Sequence, residues 1–130
     1  MSLFGLFGSK STSEVKDEKV IPWNKLTSLS QLDEIVKESK SKPVAIFKHS
    51  THCGISRMVI NQFEKSYDLE PRQMKLYYLD LLSYRNISDE IGFKFQVMHQ
   101  SPQLIVVKNG VTVAHASHHS IQGGELIKFV

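Results

Sequence analysis

One side chain in this 130-residue chain has chemistry that its surroundings can sharpen: the only cysteine, Cys53, in the stretch FKHSTHCGISRMV. A lone thiol cannot close an internal disulfide. It is either a small buried hydrophobe or a thiolate used as nucleophile or metal ligand. An apolar run precedes Cys53 and a helical pattern follows it, so its sulfur is expected at a strand-to-helix turn. There it faces the unpaired N–H groups and the positive end of the helix dipole. Thiols ionise near neutral pH at such positions, and a basic neighbour adds to the effect. His52, beside the sulfur, and Arg57, one turn on, are the candidate neighbours, although His52 also fits as a plain loop residue.

The spacing Cys53-Gly54-Ile55-Ser56 puts a hydroxyl one helical turn from the sulfur, where a dithiol enzyme carries its resolving cysteine. Ser56 can hydrogen-bond a thiolate but cannot form S–S, so a mixed disulfide on Cys53 must be released by an external thiol. That chemistry is monothiol. Easier ionisation adds little to attack, because nucleophilicity falls with it, but it improves Cys53 as a leaving group. Such a sulfur suits a recycling carrier of small-thiol adducts. The bland alternative is an ordinary first-turn serine. A second clue is HQSPQLIVVKNG, where Pro102 immediately precedes a run that reads as a central strand, so Ser101-Pro102 is a candidate cis bond. A cis turn there would face the thiol, and the Ser101 backbone would then pair with an extended substrate. Otherwise Pro102 simply starts a strand.

The elements that must position these residues alternate. SLSQLDEIVKESK reads as a helix capped by Ser28 or Ser30, with Leu29, Leu32, Ile35 and Val36 on its apolar side, ending before Pro43. PVAIFK is a buried strand, and Cys53 to Tyr67 a helix with Ile55, Val59 and Phe63 on one face. Pro71 stops that helix, KLYYLDLL is a second buried strand ending near Asp80, and a short helix from Ser83 to Ile91 closes at Gly92. QLIVVKNGVTVAHAS is a hairpin about Asn109-Gly110, and GGELIKFV is a terminal helix. Two strands joined by a helix lie parallel, and the hairpin makes the sheet mixed, with helices on both faces. This order predicts an α/β thioredoxin-like fold over residues 20–130.

Composition excludes several classes. With 41% hydrophobic residues the chain can bury one core. Sixteen Lys and Arg against thirteen Asp and Glu are scattered without a basic stripe, so nucleic acid is not the implied partner. A free thiol fits a reducing cytoplasm. Residues 1–19 carry an apolar patch, Leu3 to Phe7, then a polar tract without period, and read as a flexible leader; a weak anchor built from Leu3, Phe4, Leu6 and Phe7 is the other reading. The leader is too short for stable membrane insertion and lacks signal-peptide features. His115, His118 and His119 with His52 and Cys53 match no structural zinc spacing and read as surface or strand-end histidines, so no metal is expected. No bound cofactor is expected, since no glycine-rich phosphate loop is present.

FKHSTHCGIS, SPQLIVVKNG and HASHHSI, in that order, resemble the monothiol bacilliredoxin family, a thioredoxin-like branch of the bacillithiol system, from Trp23 to the C-terminus. The resemblance implies removal of bacillithiol from S-bacillithiolated client proteins, with bacillithiol as thiol co-substrate and its disulfide reductase as partner. The family's nucleophile matches Cys53, its motif serine Ser56, and its opposing Ser-Pro-Gln matches Ser101, Pro102 and Gln103. Where that family usually has T-C-P-I-S, this chain has His52-Cys53-Gly54-Ile55-Ser56; Gly54 loosens the helix start and touches the ionisation of the thiol. CGIS is also similar to the C-G-F-S of monothiol glutaredoxins, some of which carry an iron–sulfur cluster between subunits. Ser101-Pro102-Gln103 departs from the glutaredoxin T-V-P, although Gly123-Gly124 resembles its later glycine pair. A non-catalytic thioredoxin-like binding module is the third reading, since fold alone fixes no function.

Overall fold

All six residues of Val44–His49 are buried, which a strand achieves only in the interior of a sheet covered on both faces. Around it a computed structural model describes residues 20–130; the leader expected over residues 1–19 lies outside the described residues. In chain order the elements are β1 (Trp23–Lys25), α1 (Ser30–Glu38), β2 (Val44–His49), α2 (Gly54–Ser66), β3 (Lys75–Asp80), α3 (Arg85–Phe95), β4 (Gln103–Lys108) and β5 (Val111–Ser117). Two 3-10 segments follow, His118–Ser120 and Gly123–Phe129. The sheet order is β1-β3-β2-β4-β5. β1 and β2 run parallel to β3, and β4 runs antiparallel to both β2 and β5. This is a mixed five-stranded sheet of thioredoxin-like α/β type.

Alternation along the strands sorts the core into two layers. Val44 and Ile46 of β2 share one layer with Leu32 and Ile35 of α1 and Ile87, Ile91 and Phe95 of α3. Ala45 and Phe47 share the other with Val59, Ile60 and Phe63 of α2 and with Leu126 of the last segment. Burying each of these large side chains is worth roughly 1.5–3 kcal/mol, so helices are held on both faces by packing rather than by propensity. The hairpin turns at Asn109 and Gly110, both with positive φ (53° and 80°), which suits a two-residue turn in a right-twisted ribbon.

Several expectations are corrected. Leu29 and Ile55, expected on apolar faces, are exposed, because burial settles on Leu32 and Ile35 and on Val59, Ile60 and Phe63. Neither Ser28 nor Ser30 caps α1; the Gln31 side-chain oxygen instead accepts the Thr27 and Ser28 N–H groups at 2.7 and 3.0 Å. Helix α3 runs through Gly92 to Phe95, because the period Ile87, Ile91, Phe95 buries one more turn and Gln96 takes the left-handed exit with φ 56°. The terminal helix forms over Gly123–Phe129 and is of 3-10 type. It presses Gly123 against the end of α2, where a Cβ would lie 2.5 Å from the Phe63 carbonyl oxygen. The short edge strand β1 was not expected. Trp23 holds it, its ring against Phe63 at 5.6 Å between centroids and its N–H donating to Glu64 at 2.7 Å.

Candidate functional site

Cys53 ends the loop between β2 and α2. Its extended backbone (φ −110°, ψ 123°) makes it the residue before the first helical turn, and its side chain is half-buried and makes no capping bond. The loop is closed by its own backbone: the Cys53 N–H donates to Ser50 O at 3.2 Å, and the Arg57 N–H donates to Cys53 O at 3.1 Å. The exposed Arg57 guanidinium reaches back to the Thr51 carbonyl at 3.4 Å, while His52 and Gly54 are exposed beside the sulfur.

Ser56 is fully buried and its hydroxyl faces β2. Ser56 Oγ accepts the Ser50 N–H at 3.1 Å and lies 2.8 Å from His49 Nδ1. Among the described residues, Nδ1 and the Ser50 N–H are the two hydrogen-bond partners of this buried hydroxyl. One oxygen therefore ties the last residue of β2, the first residue of the loop and the first turn of α2. His49 is 6% exposed, against the Tyr78 ring at 5.7 Å. Burial holds its pKa below the usual histidine range; Asp80 and Glu64 act upward and Arg57 downward.

The antiparallel register pairs Lys48 with Gln103, so the loop carrying Cys53 and the turn Ser101-Pro102 leave adjacent strands at the same end of the sheet. The Ser101–Pro102 peptide bond is cis. Pro102 is buried and Ser101 half-buried. Two side chains fasten the segment before them. Gln103, 1% exposed, donates through Nε2 to Met98 O at 3.0 Å and accepts the Gln100 N–H at 3.4 Å. Lys48, with no exposed surface, places Nζ 3.2 Å from His99 Nδ1. Burial pulls the Lys48 pKa down to about 8, with the Asp89 charge acting the other way. The same burial, followed by the Lys48 charge, lowers that of His99. From the far side, the His118 N–H donates to Pro102 O at 3.1 Å.

Sequence reasoning singled out Cys53, His52, Gly54, Ser56, Arg57, Ser101 and Pro102, and these lie on two turns at one sheet end. It passed over Lys48, His49 and His99. A signal for the first two was available: consecutive polar residues closing an apolar strand must enter opposite layers. His115, His118 and His119 expose their side chains. Among the described residues no group of three or more His, Cys, Asp or Glu side chains is arranged to hold a metal ion, and no helix is long and apolar enough to cross a membrane.

Comparison with known proteins fits this geometry. The family described as Monothiol bacilliredoxin BrxC matches residues 24–126. A solved structure of a thioredoxin-fold protein, described provisionally as an oxidoreductase, is 36% identical, with TM-score 0.70 over 82% of this chain and 92% of its own. Malassezia sympodialis thioredoxin (Mala s 13) is 20% identical, with TM-score 0.62 over 87% of this chain and 94% of its own. Fasciola hepatica thioredoxin is 18% identical, with TM-score 0.57 over 80% and 92%. These two thioredoxins establish the fold alone. The chain belongs to the monothiol bacilliredoxin family, a thioredoxin-like redox family.

Proposed function

We propose that this member of the monothiol bacilliredoxin family removes bacillithiol from S-bacillithiolated proteins, with Cys53 as the nucleophile. The observation that carries the reading is the half-buried thiol at the start of α2, at the sheet end where the cis Ser101–Pro102 turn also emerges. The Cys53 thiolate attacks the bacillithiol sulfur of the client's mixed disulfide. The client thiolate leaves, taking up a proton, and a Cys53–bacillithiol disulfide remains. A second bacillithiol thiolate attacks the bacillithiol sulfur of that adduct, releasing the Cys53 thiolate and bacillithiol disulfide. Two electrons from the cell's bacillithiol-disulfide reductase restore the small thiol.

The named residues divide this work. Exposed His52 and Arg57, on the loop and first helical turn beside Cys53, are placed to contact the incoming small thiol and its client. Gly54 leaves the helix start open to the incoming disulfide. Ser101 and Pro102 supply backbone against which an extended client segment lies. Ser56 supplies no second sulfur, so each cycle waits for free bacillithiol. We assign the work to the cytoplasm, where that thiol pool is reduced.

The test is a coupled turnover assay with an S-bacillithiolated client, bacillithiol and its reductase. Wild-type protein should release the client thiol catalytically, and Cys53→Ala should fall to the rate without protein. A Cys53→Ala protein of full activity would overturn the reading and favour a binding module.

A further inference from the structure

We propose that His49 is a positioning residue for Cys53, acting through Ser56: by taking the Ser56 hydroxyl proton on Nδ1 it fixes the loop that presents the thiol. The transfer readout of this proposal rests on the function proposed above; its other readouts do not.

Ser56 Oγ takes the Ser50 N–H on one lone pair and has, among the described residues, His49 Nδ1 as its other partner, so a fully satisfied buried hydroxyl gives its proton to Nδ1 and leaves the imidazole proton on Nε2. Ser56 has no exposed surface, so loss of Nδ1 as acceptor cannot be made good by solvent without opening the loop. The oxygen so held anchors Ser50, whose carbonyl in turn accepts the Cys53 N–H. His49, Ser56, Ser50 and Cys53 thus form one continuous chain of bonds from β2 to the thiol-bearing residue. This arrangement also separates two roles for Ser56. A serine that served the thiolate directly would be released toward sulfur when His49 is lost; a serine that serves the loop would lose its anchor.

Protonation of His49 would fill Nδ1 and turn the hydroxyl proton away. The charged and titratable groups facing it are Asp80 and Tyr78 on β3 and Arg57 and Glu64 on α2. Burial, helped by Arg57, outweighs Asp80 and Glu64 and keeps the imidazole neutral into mildly acid solution. The anchor is therefore closed at neutral pH.

The experiment follows Cys53 alkylation by iodoacetamide, which needs no bacillithiol, alongside transfer from an S-bacillithiolated client. At pH 7, His49→Leu should slow both about tenfold. His49→Asn, whose amide oxygen is placed to accept where Nδ1 did, should recover most of the rate. Ser56→Ala should match His49→Leu, and the double variant should be no slower than the slower single one. Below neutral pH alkylation of the wild type should also fall further than that of His49→Asn, the excess reporting protonation of His49. Unchanged or faster alkylation in a folded His49→Leu, or independent, multiplying effects of the two substitutions, would overturn the proposal. Should the variants fail to fold, nitrogen-15 NMR of the wild-type imidazole decides: a proton on Nε2 is expected, and one on Nδ1 contradicts it. Wild-type protein that transfers nothing while the alkylation pattern holds would remove the bacillithiol reading and leave the positioning role intact.

Discussion

The two turns at the functional end of the sheet are fastened by side chains of opposite character. On the Cys53 side, Ser56 and His49 make a neutral, buried anchor centred on one oxygen. On the Pro102 side, Lys48 buries an amine against His99, and Gln103 adds an amide clasp. Both anchors come from positions at the ends of paired strands, and Lys48 and His49 are consecutive residues of β2 entering opposite layers. A neutral anchor stabilises by being satisfied; a buried cation carries a desolvation cost that its partner only partly offsets. The two anchors should therefore respond in opposite ways to substitution and to pH.

The largest expected effect separates them through pH. Lys48 is lowered from 10.5 to about 8 in the folded protein, so between those values the unfolded chain binds the proton that the folded one has lost. Stability attributable to this residue must rise with pH across that window. Comparing denaturant unfolding of wild type and Lys48→Met from pH 7 to 10.5 should reveal a wild-type gain of about 2–3 kcal/mol that the variant lacks. At pH 7 the variant should be at least as stable as wild type. Ser56→Ala should do the reverse, costing about 2 kcal/mol at pH 7 in the same measurement, because it leaves His49 Nδ1 and the Ser50 N–H unpaired. Equal losses from Lys48→Met and Ser56→Ala would erase the distinction.

Gln103→Leu sharpens the contrast on the Pro102 side. It removes the bonds to Met98 O and the Gln100 N–H but no charge, so we expect a loss of about 1 kcal/mol that does not vary between pH 7 and 10. The smallest effect is expected from replacing His118 and His119 together by Ala. Both side chains are exposed, and the His118 contact to Pro102 O is made by backbone, so stability should stay within about 0.5 kcal/mol and client transfer should be unchanged.

These anchors also mark where sequence reasoning stopped. The turn before α2, the parallel pair β2–β3 and the hairpin were legible because each has a local cause: an apolar run meeting a helical period, a crossover helix, and two residues that tolerate positive φ. The end of α3 was misread because Gly92 resembles a stop, yet Phe95 still had a place in the core. Strand β1 escaped notice because three residues carry no period, and Trp23 is held by partners distant in sequence. Cys53, Ser56 and Pro102 could be singled out by residue type and spacing. The direction of the Ser56 hydroxyl could not, because its partner is set by how α2 lies on β2, not by the C-x-x-S spacing. The layer that Lys48 enters could be read from alternation, but its burial could not: lysine at a strand end usually reaches solvent, and here the segment through His99 covers it.

The central claim is that Cys53 receives the small thiol from the client. Intact mass after brief incubation with a stoichiometric S-bacillithiolated client, quenched in acid, tests it most directly. The account predicts one bacillithiol adduct on wild-type protein, located at Cys53 and removed by added bacillithiol, and none on Cys53→Ala. A client that loses its adduct equally fast with Cys53→Ala would contradict it.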